Sequence, residues 1–197
     1  MDFFHTRLQG LAAHSLTRTL RPLSSAVGPV VILNGRPVIL LASNDYLGLA
    51  THPAVVQAAI DATTAYGAGS GASRLVCGTL PPHQELEASL AAFKHAPSAL
   101  LFGSGYQANT GIIPALIGKG GLIFADRLSH ASLIDGCRLS GADLRIYRHR
   151  DLNHLESLLT QRSAGRPVLI VTDGLFSMDG DLAPLADLAA LAARFDA

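Results

Sequence analysis

The chain has 197 residues, of which 49% are hydrophobic and 15% charged; this is enough apolar material for one substantial core and is unlike a disordered segment. Lys plus Arg and Asp plus Glu balance at 15 each, which excludes the basic footprint of a nucleic-acid or anionic-membrane binder. The two cysteines, Cys77 and Cys137, have neither CxxC nor metal-ligand spacing, so a reducing compartment, the cytoplasm, is expected and a disulfide framework is not.

At the N-terminus Asp2, His5, Arg7 and Gln9 interrupt any run that could serve as a signal-peptide core, and no later apolar run approaches the length of a membrane span. Phe4, Leu8, Leu11 and Leu16 carry helical spacing, so an arm helix is predicted over residues 3–20, closed by Pro22. The segment VVILNGRPVILLAS places Asn34-Gly35 between two aliphatic runs, the requirement of a tight type I′ hairpin. Thr51 and Pro53 then read as the N-cap and first residue of a helix whose face is Val55, Val56, Ala59, Ile60 and Thr63, with Gly67 as its stop. The glycine-rich YGAGSGASRLVCGT separates it from a further amphipathic helix marked by Leu86, Leu90 and Phe93.

From there the pattern alternates. Apolar runs at 99–102, 121–125, 144–147 and 168–172 predict strands, and 106–117, 130–139, 152–160 and 184–195 predict helices. Strands buried on both faces read as continuous apolar runs, and right-handed crossovers lay helices on the sheet. The fold class expected is therefore α/β, a three-layer, mostly parallel sheet. Ligands of such sheets bind beyond the carboxyl ends of the strands, which directs attention to the residues after each run.

After ALLF comes Gly103-Ser104-Gly105-Tyr106 opening into a helix, either an anion site made by free backbone N–H groups or an ordinary turn. After GLIFAD comes His130 at a helix start, either a stacking or proton-handling imidazole or a simple cap. After VLIVTDG comes Leu175-Phe176-Ser177-Met178-Asp179-Gly180-Asp181, rich in hydroxyl and carboxylate groups but also consistent with plain turn chemistry. Three such loops on one edge point more strongly to a site than any one of them. Dinucleotide and Walker motifs are absent, and the eight histidines form no HExxH or compact ligand cluster, so no metal is expected. Arg18 and Arg21 are candidates for a bidentate carboxylate clamp.

Taken in order, SNDYLGL at 43–49, GSGASRLVCGT, His83 with Glu85-Leu86-Glu87, FGSGYQAN, DRLSHASLIDG and TDGLFSMDGDLAPL resemble the α-oxoamine synthases of pyridoxal-phosphate fold type I. The resemblance runs from about Arg18 to Ala197. It implies an N-terminal arm helix and hairpin over 1–50 and the N-terminal part of the cofactor-binding major domain over 51–197. It further implies pyridoxal 5′-phosphate as cofactor, with Gly105 and Tyr106 in its site, His130 stacking on the pyridine ring and bordering the amino-acid substrate, and Ser177 hydrogen-bonding the cofactor. Arg18 matches a substrate-binding arginine, with Arg21 as fallback.

The SRLVCGT and DRLSHASLIDG forms are most similar to the branch that condenses L-alanine with a pimeloyl thioester, on CoA or a carrier protein, in biotin biosynthesis. The branches that make 2-amino-3-ketobutyrate and 5-aminolevulinate remain alternatives. The family's active sites are built in homodimers, and some relatives use lysine-less, non-catalytic subunits. Lys94 and Lys119 match no Schiff-base lysine. That residue and the family's Asp-x-x-His block are expected beyond Ala197, leaving the 197 residues inactive by themselves.

Overall fold

A computed structural model describes residues 2–163 and 165–197. The chain divides into two compact units, residues 1–84 and 85–197.

In the first unit Asp2 caps helix α1 (Phe3–Ala13), its Oδ1 accepting from Phe4 N at 3.2 Å. The arm helix ends earlier than its apolar spacing predicts. Ser15 adopts a φ of 56°, and Leu16 N donates back to Leu11 O at 2.8 Å; this closure satisfies terminal carbonyls and turns the chain out of the helix before Leu16. Strands β1 (Val30–Leu33) and β2 (Arg36–Ile39) pair antiparallel with Leu33 opposite Arg36. Asn34 and Gly35, at φ 52° and 73°, form the expected two-residue turn. Helix α2 (Pro53–Tyr66) begins on Pro53 as the spacing predicts, but its N-cap is His52 and not Thr51. The imidazole Nδ1 of His52 accepts from Ala54 N at 3.2 Å, and Thr51 stands one residue too far back to do so. Helix α3 (Pro81–Phe93) crosses from the first unit into the second.

The second unit is a layered α/β fold. Helix α4 (Gly105–Leu116) leads to strand β3 (Leu122–Asp126), α5 (Ala131–Leu139), β4 (Asp143–Tyr147), α6 (Leu152–Thr160), β5 (Val168–Val171) and α7 (Leu185–Arg194). Among the described residues the sheet order is β4-β3-β5, all parallel, with Ile123 opposite both Leu144 and Leu169. Strand β3 lies in the middle and is buried along its whole length, which is why its sequence is apolar without alternation.

Its side chains divide by parity. Leu122 and Phe124 join Tyr147, Leu155, Leu159, Leu188 and Leu191 in a core that takes in α6 and α7. Ile123 and Ala125 join Ile113, Ile117, Cys137 and Val171 in a second core that takes in α4 and α5. Helix, sheet and helix thus form the expected three layers. Gly136 allows α4 and α5 to approach, because a Cβ there would stand 2.6 Å from Asn109 O and 3.0 Å from Ile113 Cδ1.

The run at 99–102 is not a strand. A strand exists only where its backbone finds a ladder partner, and Leu101 N instead donates to the Glu87 carboxylate at 2.8 Å. Among the described residues, no helix is long and apolar enough to cross a membrane.

Candidate functional site

Strands β3, β4 and β5 all point the same way, so their carboxyl ends deliver Asp126, Tyr147 and Val171, and the residues after each, to one edge. His130 follows β3 and caps α5, its Nδ1 accepting from Ser132 N at 3.2 Å. Asn109 Nδ2 on α4 donates to Ser132 Oγ at 2.9 Å, and that hydroxyl donates to His130 Nδ1 at 2.7 Å. With Nδ1 engaged as an acceptor, this network assigns the proton of the neutral ring to Nε2. The backbone N–H of His130 donates to Asp173 Oδ2, just beyond β5, at 2.7 Å. The imidazole is therefore held by Ser132 on α5, itself bonded from α4, and the backbone of His130 by Asp173 beyond β5, while the residue remains exposed.

A cleft of about 220 Å³ opens beside it, lined by Leu128, His130, Asp173, Leu175, Ser177 and Met178 among others. Against the roughly 300–1,000 Å³ of complete small-molecule pockets, this amounts to part of a wall. His130 and Ser177 thus meet in one cleft, and the ring and the hydroxyl-bearing residue are both exposed to it.

Gly105 and Tyr106 occupy the first turn of α4 behind the cap Ser104, whose Oγ accepts from Gln107 N at 3.1 Å. Amides in a first turn have no acceptor inside the helix and carry the positive end of its dipole. A Cβ built on Gly105 would meet nothing within 4 Å, so the backbone there faces open space. Tyr106 donates its hydroxyl to Asp135 Oδ2 on α5 at 3.0 Å. That hydrogen bond, and then the Asp135 charge, hold the phenol above its ordinary pKa. The Asn109–Ser132–His130 chain of hydrogen bonds joins the second turn of α4 to the His130 cap, whereas Gly105 and Tyr106 do not line the cleft. Arg18 lies in the first unit, exposed, on the segment after α1, as does Arg21.

Sequence reasoning missed a second cluster on this edge. Asp126 is buried to 1% exposure. Its Oδ1 accepts from Leu128 N at 2.8 Å and lies 2.9 Å from His149 Nδ1, and its Oδ2 accepts from Arg150 N at 2.9 Å. The other ring nitrogen, Nε2 of His149, lies 3.0 Å from Asp181 Oδ2, which also accepts from Arg150 Nη1 at 2.8 Å. The hydrogen bond to Asp126 is the main cause that raises the His149 pKa; His149 and then Arg150 lower that of Asp181. Each of these residues follows an apolar run or sits in the SMDGD loop, the same positional signal that singled out His130 and Ser177. Asp173, which anchors the His130 backbone, carries that signal too.

Chemically, the donor set suits a flat ligand with an anionic group. It offers first-turn amides over open space, a fixed, exposed imidazole, and an exposed serine lining the same partial cleft as that imidazole. Neither Lys94, which directly follows α3, nor Lys119, in the turn between α4 and β3, lines this cleft.

Residues 36–197 match the family described as aminotransferase class I and II. The chain is 56% identical over 191 residues to 8-amino-7-oxononanoate synthase of Geobacter sulfurreducens, covering 96% of this chain and 49% of that protein. Among solved structures, serine palmitoyltransferase of Sphingomonas wittichii matches with a TM-score of 0.88 at 34% identity over 98% of this chain and 48% of that one. 8-Amino-7-oxononanoate synthase of Francisella tularensis matches with a TM-score of 0.65 at 35% identity over 76% of this chain and 41% of that one. The chain spans about half the length of the curated relatives it matches. Matched over most of its length by that family, the chain belongs to the aminotransferase class I and II family.

Proposed function

We propose that this chain carries part of the active site of an α-oxoamine synthase, an 8-amino-7-oxononanoate synthase that condenses L-alanine with a pimeloyl thioester with loss of carbon dioxide. The observation that carries the reading is the meeting of His130 and Ser177 in one cleft at the carboxyl edge of the sheet, in a chain more than half identical to a synthase of that name.

The chemistry supplied by bound pyridoxal 5′-phosphate is an electron sink for the pair released at the amino acid's α-carbon. The first-turn amides at Gly105 and Tyr106 would take its phosphate, where dipole and free N–H groups favour an anion. His130 would lie against the pyridine ring and border the amino-acid substrate. The imidazole's hydrogen bond with Ser132 fixes the plane it presents, and the backbone bond to Asp173 fixes the residue's position. Ser177 would donate from its hydroxyl. Arg18 would bind a substrate carboxylate, a role suited to the fork of a guanidinium. A homodimer in the cytoplasm, with residues 1–50 as arm and hairpin and 51–197 in the major domain, completes the proposal. The branches that make 2-amino-3-ketobutyrate and 5-aminolevulinate use related substrates and are separated from it by which amino acid and thioester are turned over.

The test is the visible absorbance of pyridoxal phosphate mixed with the complete encoded polypeptide, with residues 1–197 as control. A cofactor band in the former that shifts with L-alanine, and none in the control, supports the synthase. No band in either rejects it in favour of a non-catalytic partner subunit.

A further inference from the structure

Residues 174–183 form a small hairpin of their own. Leu175 bridges Leu182, Phe176 N donates to Asp181 O at 2.9 Å, Gly180 N to Phe176 O at 2.8 Å, and Ala183 N to Gly174 O at 3.0 Å. The hairpin supplies Leu175, Ser177, Met178 and Asp179 to the cleft. Two things tie it to the sheet edge. The Phe176 ring is buried in the core and meets the His149 ring edge-on, with centroids 4.4 Å apart at 88°. The Asp181 carboxylate faces the His149 ring and the Arg150 guanidinium.

We propose that His149 is a positioning residue for the Ser177 loop: held by Asp126 on one ring nitrogen and Asp181 on the other, it clasps the hairpin to the end of β3. The functional consequence rests on the reading of the cleft as the cofactor site; the clasp itself does not.

The geometry also makes the clasp conditional. Both ring nitrogens face carboxylate oxygens, and ionised carboxylates only accept hydrogen bonds. A neutral imidazole donates from one nitrogen and turns the lone pair of the other toward an anion, so both bonds exist together only in the imidazolium. The charged groups around the ring are Asp126 from β3, Asp181 from the hairpin, and Arg150 from the segment after β4, which shares Asp181. Arg148 is occupied by Asp151 at 2.9 Å, and Tyr147, pushed up to about 12 mainly by burial, stays neutral. Asp126 is sealed and fully hydrogen-bonded, whereas Asp181 is partly exposed and its Oδ1 has no partner among the described residues. Loss of the imidazolium proton therefore breaks the His149–Asp181 bond, because the buried Asp126 bond keeps the remaining proton, and leaves the hairpin held more weakly, by Arg150 and by the Phe176 ring.

The experiment is amide hydrogen exchange of Phe176, Gly180 and Ala183 as a function of pH, normalised to intrinsic rates, with the complete polypeptide and without cofactor. Protection of these amides is expected to fall about tenfold as pH rises through the His149 pKa, which lies above the ordinary 6.5. In His149→Gln and in Asp181→Ala it is expected to be low already at the acid end and flat with pH. The second substitution removes only the exposed side of the clasp and leaves Asp126 paired, so it guards against a variant that fails to fold. Protection that is equal in all three proteins, or that falls in the variants while the parent shows no pH dependence, overturns the proposal; the latter result would assign the loop to Phe176 packing alone. Failure of the synthase reading shows separately, as absence of the pyridoxal phosphate band with this exchange pattern intact.

Discussion

The backbone N–H of His130 donates to the side chain of Asp173 across 2.7 Å, so a carboxylate at the end of β5 sets the position of an imidazole at the end of the loop after β3. Hydrogen bonds to charged groups are stronger than neutral ones, contributing about 1.5–3 kcal/mol. Asp173→Ala is expected to lower pyridoxal phosphate affinity of the complete polypeptide about tenfold or more, while Asp173→Asn, which keeps an acceptor oxygen, recovers part of it. Titration of the cofactor by absorbance distinguishes the two; equal affinity in both variants and the parent would count against the role of Asp173.

Gly105 and Gly136 make a contrasting pair. A Cβ at Gly136 would meet Asn109 O at 2.6 Å, whereas one at Gly105 would meet nothing within 4 Å. Gly136→Ala is expected to destabilise the fold by about 1–3 kcal/mol through forced separation of α4 and α5. Gly105→Ala is expected to leave the urea midpoint unchanged and to weaken pyridoxal phosphate binding by crowding the helix start. A Gly105→Ala protein that binds cofactor like the parent would falsify the phosphate assignment.

Leu155 on α6 is fully buried against Phe124 and Tyr147 in the core that takes in α6 and α7. Leu155→Ala removes that burial and leaves a cavity, for an expected loss of about 2–5 kcal/mol. Chemical denaturation measures it, and a loss under about 1 kcal/mol would mean that α6 is not seated as described.

Stability should depend on pH through the clasp. The pKa of His149 is raised above its ordinary 6.5, mainly by Asp126, so its contribution is complete below about pH 6.5 and is lost as pH rises through the raised value. That of Asp181 is lowered below its ordinary 3.8, mainly by His149 and then Arg150, so its contribution is present above that value and is lost as pH falls through the lowered one. The urea midpoint is expected to be highest between these limits. In His149→Gln the decline on the alkaline side should disappear.

Much of this molecule was legible because local chemistry and tertiary outcome agree. Asn34-Gly35 supplies two positive φ angles wherever it stands, Pro53 starts a helix, and a run such as LIFA in β3 can be buried on both faces only at the centre of a sheet. His130 and Ser177 stand in the loops that follow apolar runs, and both line one cleft. The misreadings have the opposite character. The arm helix stops at the Ser15 turn although its apolar spacing continues to Leu16, because the Leu16 to Leu11 hydrogen bond competes with helix extension. Residues 99–102 have strand composition, yet Leu101 finds a carboxylate in place of a ladder.

The sequence by itself determined the α/β alternation, the parallel sheet and the edge on which the candidate residues collect, since period, turn chemistry and crossover handedness are properties of short stretches of chain. Only the tertiary structure decided which of those residues share a partner. Asp126, His149 and Asp181 are separated by 23 and 32 residues along the chain, and hydrogen-bonding potential in sequence is silent about direction. Two carboxylates on one imidazole arise because parallel strands bring their carboxyl ends to a common edge, and that convergence is a property of the folded sheet alone.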